Sequence, residues 1–163
     1  KSVRFLSNGK LLVTSGIDQS VRVWSVETGK SVQAFNHHTR PVHDLAVRPQ
    51  KNQSGPQMVV TVSDDRTVRL WQPTIGRMVR FARLNRTIPL AVRWTPDGSR
   101  IITVGTDGHL RIIDPDTVTI LHNVAAITGW AYCLEIHPTK NAAIVAGVNG
   151  QLVRVPLPKQ KNE

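Results

Sequence analysis

The chain has 163 residues, 40% of them hydrophobic, with a formal net charge of +10 and a single cysteine. Apolar residues recur along its whole length, which excludes a disordered chain, and the length suits one ordinary domain with its own core. One cysteine excludes an internal disulfide framework and a Cys-x-x-Cys attachment site. The apolar stretches fall far short of the roughly 20 residues that cross a bilayer, so no membrane partner is expected.

In chain order, residues 3–5 read as a short strand, and Asp18-Gln-Ser-Val-Arg-Val-Trp24 as a tight turn leading into another. Residues 32–35, 42–47, 58–62 and 68–71 follow as four strands. Turn residues separate them at 36–40, at the Gly/Pro loop 51–57 and at Ser63-Asp64-Asp65-Arg66. Arg77, Arg80, Arg83 and Arg86 have a helix-like period, but the repeat register places a strand there and Pro89 follows soon after. No segment makes a convincing helix. Cys133 lies in the apolar stretch 130–136 and reads as a small buried hydrophobe. Residues 152–155 form the last strand, and 159–163 are a polar tail.

An internal repeat organises these elements. Asp18, Asp65, Asp107 and Asn149 open equivalent segments, and their spacings are 47, 42 and 42. Pro49, Pro96 and Pro138 each close an alternating strand at spacings of 47 and 42, so two independent markers keep step. The longer first interval comes from the 51–57 loop, which replaces the short Pro96-Asp97-Gly98 turn. Four short strands in about 42 residues is the size of a propeller blade.

Val42-His-Asp-Leu-Ala-Val-Arg-Pro49, Asp64-Asp-Arg-Thr-Val-Arg-Leu-Trp71 and His37-His-Thr-Arg-Pro41 resemble the strand signatures and the opening motif of the WD40 repeat, with His37 in place of the usual glycine. The resemblance covers nearly the whole chain, closest in the first two units and faintest in the fourth. It implies an all-β fold of about four consecutive four-stranded blades, at 1–36, 37–84, 85–122 and 123–158. Three blades would be complete and the fourth would lack its outermost strand. The arc would be an incomplete ring, the C-terminal half of a seven- or eight-bladed propeller, closed by missing blades or by a second copy.

The resemblance also implies a structural hydrogen-bond chain in each blade. Its members would be His38, Thr61, Asp65 and Trp71 in the second unit, and Thr14, Asp18 and Trp24 in the first. The third keeps Thr103 and Asp107 but has Asn85 and Ile113 at the other places. The fourth, with Ile127, Val145, Asn149 and Val155, should lack the chain altogether. A Thr–His–Asp set superficially resembles a nucleophile–base–orienter arrangement. Its recurrence with the strand period argues for scaffolding instead. His37, His38 and His43 are the one candidate metal cluster. His38 and His43 already have places in the repeat, so no metal and no cofactor are expected.

Eight arginines, at 66, 69, 77, 80, 83, 86, 93 and 100, form a lysine-free patch suited to carboxylates or phosphates. They are either a solvated blade surface or the site of an acidic partner. Arg22, Arg69 and Arg111 sit at equivalent strand positions and read as rim residues. By the resemblance, partners would meet the face that includes Arg40, His43, Asp64, Arg86, Thr106 and Trp130. Trp130, where the scaffold needs no tryptophan, is either an interface anchor or packed. The leading expectation is a protein-interaction scaffold within a larger protein. The alternatives are a nucleic-acid-associated propeller using the 66–100 patch and, third, a propeller enzyme.

Overall fold

The computed structural model describes residues 1–7, 9–50 and 55–158. Most of the 51–57 loop and the 159–163 tail therefore lie outside the described residues. Four antiparallel sheets succeed one another along the chain. The first holds β1 (Ser2–Phe5), β2 (Leu11–Ser15), β3 (Val21–Ser25) and β4 (Ser31–Phe35). The second holds β5 (Val42–Val47), β6 (Val59–Ser63), β7 (Thr67–Gln72) and β8 (Arg77–Arg83). The third holds β9 (Pro89–Trp94), β10 (Ile101–Gly105), β11 (His109–Ile113) and β12 (Ile120–Ala125). The fourth has three strands, β13 (Ala131–Ile136), β14 (Ala142–Gly147) and β15 (Leu152–Pro156). One 3-10 turn, Val148–Gly150, is the sole helical element among the described residues.

Sequence repeat and sheet are out of phase by one strand. β4 leads the second repeat but closes the first sheet by pairing with β3. The helix-like arginine series lies largely on β8, which pairs with β7 along its length. β12 runs past the boundary expected at 122, because Asn123, Val124 and Ala125 still pair with Arg111, Leu110 and His109.

Burial explains the sequence pattern of each strand. β6 and β10 are buried on both faces, which is why VVTVS and IITVG show almost no polar alternation. The β2–β3, β6–β7 and β10–β11 turns are built alike. Asp18, Asp65 and Asp107 accept the backbone N–H two residues ahead, from Ser20, Thr67 and His109. The residue between them takes positive φ, at Gln19, Arg66 and Gly108. Only Gly108 needs to be glycine, since a Cβ there would collide with the Ile127 carbonyl.

The core is a series of three layers between successive sheets. Val13, Val21, Val23 and Phe35 meet Val42, Leu45, Val59 and Trp71 between the first two. Val60, Val62 and Leu70 meet Val92, Trp94 and Ile101 in the next. Ile102, Val104 and Leu110 meet Leu134, Ala143 and Val145 in the last. Among the described residues no such layer covers the far face of the first sheet, where Val3 and Phe5 are exposed. The same holds for the far face of the fourth, where Leu152 is exposed.

Cys133 corrects the sequence reading, because it is exposed. A register shift between Ala131 and Cys133 slips the inward–outward alternation of β13 by one residue. Leu134 and Ile136 then point into the third layer, and Cys133 falls on the uncovered face.

Candidate functional site

The second sheet holds a continuous polar chain. The Trp71 indole N–H donates to Thr61 Oγ1 at 2.8 Å. Thr61 Oγ1 and His38 Nε2 are 2.7 Å apart, as are His38 Nδ1 and Asp65 Oδ2. An indole only donates and a carboxylate only accepts, so the protons run one way. The Thr61 hydroxyl donates to His38 Nε2, and His38 Nδ1–H donates to Asp65. Asp65 also accepts from the backbone N–H groups of Thr39 and Thr67, from the Thr67 hydroxyl and from Arg69. Phe35, His37 and His38 pack around the Trp71 ring.

Burial holds His38 below the ordinary imidazole value of 6.5, outweighing the opposing hydrogen bond to Asp65. Burial pushes Asp65 up, but the hydrogen bonds from His38 and Thr67 prevail and hold it well below the ordinary 3.8. Both shifts make acid destabilising. The unfolded chain binds a proton at His38 near 6.5, and at Asp65 near 3.8, before the folded chain does. Stability is complete above the first value, falls as pH drops through it, and falls again below the second. Urea midpoints at about pH 7.5, 5 and 3 should decrease in that order. A midpoint that rises on going from about pH 7.5 to 5 contradicts a neutral, buried His38.

The same geometry bears on the enzyme alternative. Thr61 is fully buried and its hydroxyl oxygen already holds the Trp71 indole, so no substrate can reach it. Among the described residues no three His, Cys, Asp or Glu side chains converge as a metal site. His43, another histidine of the candidate cluster, is paired with Asp64 at 2.6 Å.

The chain of bonds decays across the other sheets. In the first, the Trp24 indole donates to Thr14 at 2.8 Å, while Asp18 turns to Ser20 and Arg22 and the two halves are not joined. In the third, Thr103 donates to the Ala91 carbonyl at 2.8 Å, and Asp107 is gripped by Arg111 through both oxygens. Thr103 and Asp107, the two members this unit keeps, therefore make separate bonds. With Asn85 and Ile113 at the other two places, neither a His nor an indole is there to link them. Arg69 and Arg111 are also not rim residues. They are buried, and like Arg22 each pairs with the aspartate four positions earlier. That Asp-x-x-x-Arg spacing was visible in three units.

A second polar chain had no counterpart in the sequence reading. It runs along the first strands of all four sheets. Ser2 Oγ donates to Asp44 at 2.8 Å, Arg93 Nη1 donates to Asp44 at 2.7 Å, and Arg93 Nε donates to Glu135 at 3.1 Å. The backbone N–H groups of Leu45 and Val92 also donate to Asp44. Burial works against the Arg93 charge, but Asp44 and Glu135 outweigh it and raise Arg93 above the ordinary arginine value. One signal was present: Arg93 and Glu135 are opposite charges 42 residues apart, at the same repeat position.

The six candidate contact residues lie on or beside the loops leading into each sheet and the turns packed on them. Backbone bonds tie these segments together, from Asp64 to Pro41, Thr106 to Ile88 and Val148 to Trp130. Arg40 and Arg86 are exposed. His43 and Asp64 pair with each other, and Thr106 Oγ1 accepts the Ile88 N–H. Trp130 is 49% exposed and stands edge-on to Tyr132, which is equally exposed, with ring centroids 6.0 Å apart. It is not packed.

Comparison with known proteins agrees with this architecture. A family model described as "WD domain, G-beta repeat" matches residues 1–25, 29–72 and 86–114, more than half of the chain. THO complex subunit 3 of Arabidopsis thaliana is 29% identical over 125 residues, covering 74% of this chain and 38% of that protein. A guanine nucleotide-binding protein subunit beta of Zea mays is 35% identical over 112 residues, covering 65% and 28%. A p21-activated protein kinase-interacting protein 1-like protein of Danio rerio is 28% identical over 144 residues, covering 88% and 36%. The chain thus spans well under half the length of these relatives. The matched segments fall on the first three sheets, and the chain belongs to the WD40-repeat family.

Proposed function

We propose that this chain is a docking module of a larger WD40-repeat protein and holds partner proteins on the face formed by the loops leading into each sheet. The exposed Trp130–Tyr132 pair carries this reading, because neither ring serves a sheet core or a polar chain. Aromatic side chains are the usual interface anchors, and Arg40 and Arg86 offer guanidinium groups on the same side. The bare apolar faces of the first and fourth sheets suit further blades or a second copy of the chain, either of which would continue the arc.

A photo-crosslinking residue at Trp130 should yield a discrete protein adduct in the native host, whereas the same residue at Thr117, in the β11–β12 connection, should not. Trp130→Ser should weaken recovery of that protein roughly 30-fold, the loss expected for an aromatic hot spot, at an unchanged melting temperature. Equal adducts from both positions, or undiminished recovery with Trp130→Ser, would overturn the assignment of this face.

Charge favours a second reading. Seven of the eleven acidic residues pair with arginine or histidine within the chain, whose formal net charge is +10. A phosphate-binding surface would follow, with affinity that falls steeply as salt is raised. A partner anchored on Trp130 would depend on salt only weakly.

A further inference from the structure

We propose that the outer edge of the second sheet, strand β8 with Arg66 and Arg86 beside its end, binds an acidic, extended segment of a partner protein.

The three outermost strands provide an internal comparison. β4, β8 and β12 each end their sheet and leave one edge unpaired among the described residues. β4 reads SVQAF and β12 reads ILHNVA, with no charged residue in either. β8 reads RMVRFAR and carries three arginines in seven residues. Charged side chains on an edge strand can simply deter sheets from pairing edge to edge. This chain leaves two equally free edges uncharged, so deterrence does not explain why one edge is loaded.

The arginines of this edge are also uncommitted. Elsewhere in the patch Arg69, Arg93 and Arg100 are paired with Asp65, Asp44 and Asp114. Among the described residues Arg66, Arg77, Arg80, Arg83 and Arg86 are ion-paired to no carboxylate. Arg66 donates to the Asn85 carbonyl and Arg77 to the Gln72 amide oxygen, which leaves their charges unbalanced. Five guanidinium groups so placed repel one another, and an incoming polyanion relieves that repulsion. Arginine binds carboxylates through a planar fork, which lysine cannot reproduce.

The register sets the shape of the ligand. Arg77 and Arg80 sit opposite Gln72 and Leu70, while Arg83 sits opposite Thr67, and the pairing shifts between Leu70 and Trp71. Arg77 and Arg80 therefore flank one face of the sheet, and Arg83 flanks the other beside Phe81. At about 3.3 Å per residue the row spans about 20 Å. A segment laid along the edge would bond to its free N–H and C=O groups while carboxylates alternated to both faces. A nucleic acid could answer the charge but not the backbone edge. The exposed aromatic ring here, Phe81, is already covered by the Arg69 guanidinium at 5.4 Å, which leaves little for bases to stack on.

The test is titration of the 163-residue chain with a peptide of about twelve residues alternating Glu with Thr and Val, long enough to span the edge. Arg77→Gln/Arg80→Gln/Arg83→Gln should weaken binding roughly tenfold or more, the weight of one to two charge-assisted contacts. Arg4→Gln/Lys30→Gln/Arg154→Gln, which removes equal charge elsewhere, should change it less than roughly twofold. A peptide of the same charge with prolines at alternate positions should lose affinity as the first triple variant does, because proline cannot pair with an edge. Equal losses in both triple variants would reduce the effect to net charge. Undiminished binding of the proline peptide would remove the edge from the account. Tighter, equally triple-sensitive binding of a single-stranded oligonucleotide of matched charge would reassign the surface to nucleic acid. Arg83→Gln alone, expected to weaken binding roughly threefold, decides the matter if the triple variant does not fold. Failure here leaves Trp130 crosslinking untouched, so the two surfaces are tested separately.

Discussion

Asp65→Ala is expected to lower the unfolding free energy by about 3 kcal/mol, near the top of the range for a change that leaves buried polar partners unsatisfied. The carboxylate is only 4% exposed and receives bonds from His38, Thr67, Thr39 and Arg69. Its removal strands the His38 Nδ1–H and the Thr67 hydroxyl in a region that water does not reach. It also leaves His38 free to rotate, so Thr61 loses the acceptor that orients it toward the Trp71 indole. The equivalent aspartates give an internal scale, because Asp18 is 47% exposed and Asp107 30% exposed. Asp18→Ala removes a surface ion pair and should cost no more than about 0.5 kcal/mol. Asp107→Ala leaves Arg111 buried without its partner and should fall between the two. Urea unfolding of the three variants at about pH 7.5 measures the order. A common value for all three would mean that position in the repeat, not the chain of bonds, sets the cost. An Asp65 variant as stable as the parent would show that the chain of bonds does not hold the second sheet together.

The second sheet was legible because its sequence contains every chemical type the chain of bonds needs, at the repeat's own spacing. Trp71 can only donate, Asp65 can only accept, and His38 and Thr61 do both. Where a member is missing, the remainder does not hold its place. Thr103 keeps the residue type and loses the role, because Asn85 and Ile113 provide nothing for its hydroxyl to join and the Ala91 carbonyl is nearer. Cys133 was misread because its burial depends on a layer over the far face of the fourth sheet, which is absent among the described residues. Its repeat equivalents Asp44 and Ala91 follow the same register shift and are buried. The four strands of each sheet were legible from turn residues and β-branched runs. The phase between repeat and sheet depended on which strand pairs with which. The polar chain of Ser2, Asp44, Arg93 and Glu135 was the least legible feature. It joins residues 42 or more positions apart on four different sheets. Asp44 also lies two positions before Ala46, the repeat equivalent of Arg93 and Glu135, so the repeat does not align it with them. Arg93 and Glu135 looked like surface charges because nothing local marks either as paired.

That chain carries the second large effect. Arg93→Met should destabilise the protein by about 2–4 kcal/mol, because it leaves the largely buried Asp44 carboxylate without its guanidinium partner. Methionine retains the length and apolar stem of arginine, so lost packing contributes little. The Leu45 and Val92 N–H groups still bond to Asp44, and they set the lower end of the range. Glu135→Gln is the control at the other end of the same guanidinium. Glu135 is 71% exposed, and its loss should cost no more than about 0.5 kcal/mol. Asp44→Asn in the Arg93→Met background should recover part of the loss, since the uncompensated charge is then gone while the backbone N–H groups keep an acceptor. Unfolding curves for the parent, Arg93→Met, Asp44→Asn and the double variant form a cycle whose coupling should exceed about 1 kcal/mol. The coupling should also survive high salt, because Asp44 is shielded from the ions that screen a surface pair. If Arg93→Met costs no more than Glu135→Gln, neighbouring sheets are held by their apolar layers alone. A cost several times larger assigns the Asp44–Arg93 pair the task of fixing how the second and third sheets sit against each other, which apolar packing, having no direction, does not specify.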